Sequence, residues 1–203
     1  MLIIILSIVI LILSVILHEV SHGYMADWLG DPTARLKGRL TLNPLKHIDP
    51  VGSIIVPLIT SLFGFTFGWA KPVPYNPYNL KNKRSGELLI ALAGPVCNLF
   101  IALIFGLIIR FAAANTETVT PFIEITSYIV LINIILAVFN LIPLPPLDGS
   151  KILFSILPNQ YGRFRRTLEM YAPVFILIVV FLLWGVISPI IPFVFKAFTG
   201  ISM

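Results

Sequence analysis

Three uninterrupted apolar runs dominate the chain, at roughly 2–29, 88–112 and 122–142. About 20 apolar residues in a helix cross the hydrocarbon core of a bilayer. No water is there to satisfy backbone N–H and C=O groups, so a single span takes the form that pairs them internally, the α-helix. Two further apolar stretches are interrupted: 51–69 by Gly52, Pro57, Gly64 and Gly68, and 171–195 by Pro173, Pro189 and Pro192. Apolar residues are 58% of the chain and charged residues 11%, whereas soluble proteins carry about 25% charged residues. The expectation is an all-α polytopic membrane protein, a single domain over 1–203, with about five to six membrane helices or half-helices and a short re-entrant or β-like segment. Residues 2–17 have no basic region ahead of them and no small-residue cleavage site after them, so they read as a span and not as a secretory leader. Cys97 is the lone cysteine, which excludes an intramolecular disulfide.

The net charge of +5 does not point to nucleic acid, because the basic residues sit in loops between apolar runs. Loops 31–49, 70–87 and 148–169 hold four Lys or Arg each, 12 of the 14 in the chain. If 51–69 enters the membrane and returns on the same side, all three loops share one face, and the positive-inside rule makes that face cytoplasmic. If 51–69 spans, the bias reverses. The re-entrant arrangement is the better fit, in a multi-pass protein of the cell membrane.

His18-Glu19-Val20-Ser21-His22 places ionisable side chains inside the first apolar run. Residues four apart lie on one face of a helix, so both imidazoles can reach one ion. Glu19 is about a third of a turn round, where it can address a water molecule at the metal and not the metal itself. Two satisfied helix histidines beside an unrelated Glu are the plainer account in a soluble protein. In a span, where ionisable side chains are costly and mark function, the metal reading is favoured. A catalytic zinc has three protein ligands and an open fourth position. Asp148, which follows the Pro-rich link 143–146, is the candidate third ligand. The same position suits the N-cap of a short helix at about 149–157, and an Asp can do both. His47, in a basic loop that reads as turns, is the rival ligand. Asn98 suits a hydrogen bond between helices, with Gly94 permitting close approach, or alternatively a contact to substrate. Asn140, close in sequence to Asp148, is a candidate to hold a substrate carbonyl or stabilise an oxyanion. Asn133 reads as packing.

With HEVSH at 18–22, GPVCN at 94–98 and NLIPLPPLDG at 140–149, the chain resembles the site-2 proteases, in the small prokaryotic branch without PDZ or CBS domains. GRLTLNPLKHIDPVG at 38–52 and GWAKPVPYNP at 68–77 also resemble that branch. The resemblance runs over roughly 10–157 and implies cleavage of membrane-embedded peptides, with one zinc held by His18, His22 and Asp148 and with Glu19 catalytic.

Zinc acidifies water and polarises a carbonyl, and Glu19 would move the proton to the leaving amine. A transmembrane substrate must unwind to expose a peptide bond, and an extended segment can pair with a strand of the enzyme. Residues 65–70 are the strand candidate; an interfacial belt anchored by Trp69 is the alternative. The expected partners are transmembrane protein or peptide substrates and the lipid bilayer. The rival function is a non-catalytic membrane metal-binding protein or divalent-metal carrier, which has no need of a base beside its ligands. Glu19 discriminates between the two.

Overall fold

The structure is a computed structural model that describes residues 2–62, 68–113, 121–158, 162–171, 185 and 188–202. In chain order its α-helices are α1 (Leu2–Trp28), α2 (Thr33–Leu36), α3 (Val56–Ser61), α4 (Lys83–Ala113), α5 (Pro121–Asn140), α6 (Asp148–Ile156), α7 (Gly162–Met170) and α8 (Ile190–Thr199). No strand occurs among the described residues. The helices α1, α4 and α5 are long and apolar enough to cross a membrane, matching the three uninterrupted runs. Each presents apolar side chains outward, such as Ile4 at 65% exposure on α1 and Phe100 at 61% on α4. Outward faces of that kind are stable against lipid and not against water.

Helix α4 is the centre of the bundle, packed on α1, α5, α6 and α8. His18 pairs with Asn98 and His22 with Ile90, so α1 and α4 run antiparallel. The main apolar cluster repeats at helical spacing: Ala102 and Ile109 on α4, Val130 and Ile134 on α5, Ile191 and Phe195 on α8. Across the other end of the bundle, Ala26 of α1, Leu80 in the loop ahead of α4, and Ile90 of α4 form a second cluster.

The described residues of the stretch 51–69 form no helix long enough to span. Val51–Ile55 is one π-helical turn that continues into α3, and at 1.5 Å per residue such a length covers about half a bilayer core. The ends of the stretch meet: the Trp69 N–H donates to the Gly52 carbonyl at 3.0 Å, and Lys71 N–H to that of His47 at 2.9 Å. This is the re-entrant arrangement that the charge count favours. The proposed strand 65–70 lies partly outside the described residues, and 68–70 carry no regular structure. Most of the last apolar run, 172–184, also lies outside them. The helix at its end, α8, continues past the expected limit of 195 to Thr199.

Two polar fastenings hold the loops. Asp31, fully buried just beyond α1, accepts from Thr33 N–H and Oγ1–H, from Asn76 N–H at 2.6 Å and from Asn79 Nδ2–H at 2.7 Å. It thereby ties 76–79 to the end of α1. Arg84, in the first turn of α4, donates to the carbonyls of Ser155, Ile156 and Leu157, which are left without helical partners at the end of α6.

Candidate metal centre and active site

Ser14, His18 and His22 fall four residues apart on α1, so they line one stripe facing α4 and α5. His18 and His22 are both buried. The His22 Nδ1–H donates to the Ile90 carbonyl at 2.6 Å, and the His18 Nδ1–H to Asn98 Oδ1 at 2.6 Å. With a proton on each Nδ1, both Nε2 atoms present lone pairs. The two Nε2 atoms are 3.1 Å apart, and each lies 3.1 Å from Asp148 Oδ2.

Asp148 reaches this point from another direction. The chain leaves α5, passes the Pro145–Pro146 cis peptide and enters α6. Leu147, not Asp148, is the cap residue of α6, and Asp148 makes no capping bond. Its carboxylate is left to face the imidazoles, so the capping role considered for it is absent. The turn can fold this tightly because position 149 is glycine: a Cβ there would stand 2.3 Å from the Ile142 and Leu141 carbonyl oxygens. Glycine at 94 does the same on the opposite wall, where a Cβ would stand 2.5 Å from His18 Cε1 and from His22 Nε2. Its small size makes room for the imidazoles themselves and not for a neighbouring helix backbone.

Three lone-pair atoms this close repel one another unless a proton or a cation sits among them. Two imidazole nitrogens and one carboxylate oxygen, with a fourth direction open, are the donor set of a catalytic zinc. Atoms about 2.0–2.1 Å from a tetrahedral ion stand about 3.3 Å apart, so the observed triangle has the size of an ion site. The residues present therefore fit zinc. Lys151, one turn along α6, donates to Asp148 Oδ1 at 3.1 Å and leaves Oδ2 to the imidazoles. Burial disfavours the ionised Asp148 carboxylate, and the Lys151 charge beside it acts the other way. Burial likewise acts to lower Lys151, and Asp148 outweighs it, so the ammonium is held charged.

Glu19 stands next to His18 on α1, and its Oε2 accepts the Val73 N–H at 2.9 Å. Asn98 is fully buried: its Oδ1 takes the His18 bond and its Nδ2–H donates to Asn133 Oδ1 at 2.8 Å. That leaves its amide turned to the protein interior. Asn140 donates to the Leu136 carbonyl of its own helix at 2.9 Å. His47 is buried but apart from the triangle, its Nε2–H directed to the Thr41 carbonyl at 2.8 Å. Among the described residues, His18, His22 and Asp148 form the one group of metal-binding side chains that converges. The sequence reading missed Lys151, Val73 and Ser14, and took Asn133 for packing. Two of these had a usable signal: Ser14 lies one turn before His18 on the same stripe, and Lys151 lies one turn after Asp148. Val73 had none.

Residues 6–183 match the sequence profile of peptidase family M50. The chain belongs to peptidase family M50, the site-2 protease family. Among its M50 relatives, YwhC of Bacillus subtilis (strain 168), named as a candidate zinc metalloprotease, is 42% identical over 153 residues, 73% of this chain and 67% of YwhC. Rip2 of Mycolicibacterium smegmatis, named in the same way, is 30% identical over 174 residues, 85% of this chain and 64% of Rip2. Zinc metalloprotease MJ0392 of Methanocaldococcus jannaschii is 28% identical over 159 residues, 78% of this chain and 36% of that protein. The chain thus spans about two thirds of the length of the two bacterial M50 relatives. No solved structure matches it.

Proposed function

We propose that this chain is an intramembrane zinc endopeptidase that hydrolyses peptide bonds within or near transmembrane segments of other proteins. The observation that carries the reading is Glu19, a carboxylate one residue from the converging His18, His22 and Asp148. Zinc bound by these three would supply a Lewis acid that polarises the scissile carbonyl and acidifies water. Glu19 takes the proton of the attacking water and returns it to the leaving amine. The Val73 amide holds the Glu19 side chain toward the loop 70–76. Lys151 fixes Asp148 so that one oxygen faces the imidazoles. His22 lies about 9 Å, at 1.5 Å per residue, from the end of α1 at Trp28, so the three ligands sit toward one end of that span. Asn140 remains a candidate contact for the substrate backbone, and the basic loops are proposed to face the cytoplasm.

Co-expression with a panel of tagged single-span proteins tests the reading. Wild type should release a shortened product, and Glu19→Gln should not, its rate being lower by about 10²–10⁴-fold. Glu19→Gln should keep its zinc, since the ligands are untouched, whereas Asp148→Asn should lose zinc and activity together. A Glu19→Gln protein that cuts at near wild-type rate removes the base from the mechanism and leaves a metal-binding membrane protein.

A further inference from the structure

We propose that Asn133, on α5, sets the tautomer of the metal ligand His18, acting through Asn98. The inference rests on reading His18 as a zinc ligand, and it adds a positioning residue that touches neither metal nor substrate. His18, Asn98 and Asn133 form an unbroken hydrogen-bonded line from the metal centre across α4 to α5, all of it buried. The direction of each bond in that line is dictated at its far end. The Asn133 Nδ2–H groups donate to the Ile129 carbonyl at 2.9 Å and to Ser14 Oγ at 2.9 Å. A backbone carbonyl can only accept, so the Asn133 amide cannot be reversed without setting oxygen against oxygen. Its Oδ1 therefore faces Asn98. Asn98 must answer with its Nδ2, whose second hydrogen points to the Ser14 carbonyl at 3.5 Å. The Asn98 oxygen is then turned to His18 Nδ1, which must carry the proton. A neutral imidazole protonated at Nδ1 has its lone pair at Nε2, the atom that faces Asp148 and His22. The carbonyl of Ile129 on one helix thereby selects the metal-binding nitrogen of a histidine on another, through two amides with no spare hydrogen. His22 reaches the same tautomer by a shorter route, its Nδ1–H bonded directly to the Ile90 carbonyl. His47 has the opposite arrangement, with Nε2–H donating to Thr41, and serves as an internal contrast.

Nitrogen-15 NMR of histidine-labelled, metal-free protein in detergent, with zinc affinity measured by chelator competition, tests the proposal. In wild type His18 and His22 should carry the proton on Nδ1 and His47 on Nε2. In Asn133→Leu, Asn98 is released, His18 should populate both tautomers while His22 and His47 keep theirs, and zinc affinity should fall about 10–100-fold, the usual effect of losing a ligand's outer partner. Asn133→Asp, in its protonated form at low pH, can donate to Ile129 and accept from Asn98, so it should restore the His18 tautomer there. A wild-type His18 protonated on Nε2 overturns the proposal even if Asn133→Leu fails to fold. So does an Asn133→Leu protein with wild-type tautomer and wild-type zinc affinity. Absence of zinc binding by wild type would strike the ligand reading instead, and the tautomer measurement would still decide the role of Asn133.

Discussion

Position 94 has no room for a methyl group, and this separates two effects that usually travel together. Alanine is a better helix former than glycine by about 1 kcal/mol, so Gly94→Ala should leave α4 helical. Its Cβ, however, would fall 2.5 Å from both metal-facing imidazoles. We expect a folded protein whose zinc affinity is at least about tenfold lower, checked by circular dichroism beside metal analysis; full zinc loading would contradict the geometry. His47→Ala should bind zinc as wild type does, because its Nε2–H is spent on Thr41. At this scale much of the site was legible. His18, Glu19 and His22 announce themselves by residue type and spacing, since few other uses explain such groups in an apolar run, whereas Asp148 had an N-cap as its plainer use and became a ligand candidate only beside them. Asn133 did not, because an asparagine that packs helices and one that orients a ligand look alike until the register of three helices is known. Asn98 was ambiguous for the same reason, and its bond to His18 depends on where α1 and α4 cross.

Among the elements, the turn 76–79 is fastened to the end of α1 by the Asp31 carboxylate. Burial acts to raise Asp31, but the bonds from Thr33, Asn76 and Asn79 outweigh it and hold the group below its ordinary value. A carboxyl whose folded value lies below its unfolded value of about 3.9 stabilises the fold above that pH and loses the contribution as pH falls toward the folded value. Asp31→Ala should cost about 1.5–3 kcal/mol at pH 7, the range for hydrogen bonds to a charged group. The difference in melting between variant and wild type should shrink below about pH 4. Hydrogen exchange should show 72–79 opening first, and an equal difference at pH 3 and pH 7 would remove Asp31 as the fastener. The spans themselves were readable, because length and apolar content decide them, although α4 begins at Lys83, five residues ahead of its apolar run, in a polar first turn that hydropathy does not report. The short turns around Asn43 and Asn76 were not placed individually: each is held by an asparagine side chain accepting from the backbone two residues on, a motif too common in loops to single out.

For the molecule as a whole, the re-entrant reading of 51–69 predicts that 31–49 and 70–87 lie on one side of the membrane. In a Cys97→Ala background, cysteines placed at the exposed positions Lys37 and Lys81 should react with an impermeant reagent from the same side, the cytoplasmic one by the charge rule. Labelling from opposite sides would mean that 51–69 spans. The charge count favours this topology, since it gathers 12 of the 14 basic residues on one face. What it could not foretell was how the stretch is closed, by the Trp69 N–H on the Gly52 carbonyl and by Ser53 Oγ–H on that of Trp69. A stretch that leaves and rejoins the fold at one point has, for everything outside it, no length. The clasp at Gly52 and Trp69 brings the two ends of the stretch together, so that the chain resumes at 69 beside where it left off at 52, and the path toward Val73 and Glu19 begins from a fixed point.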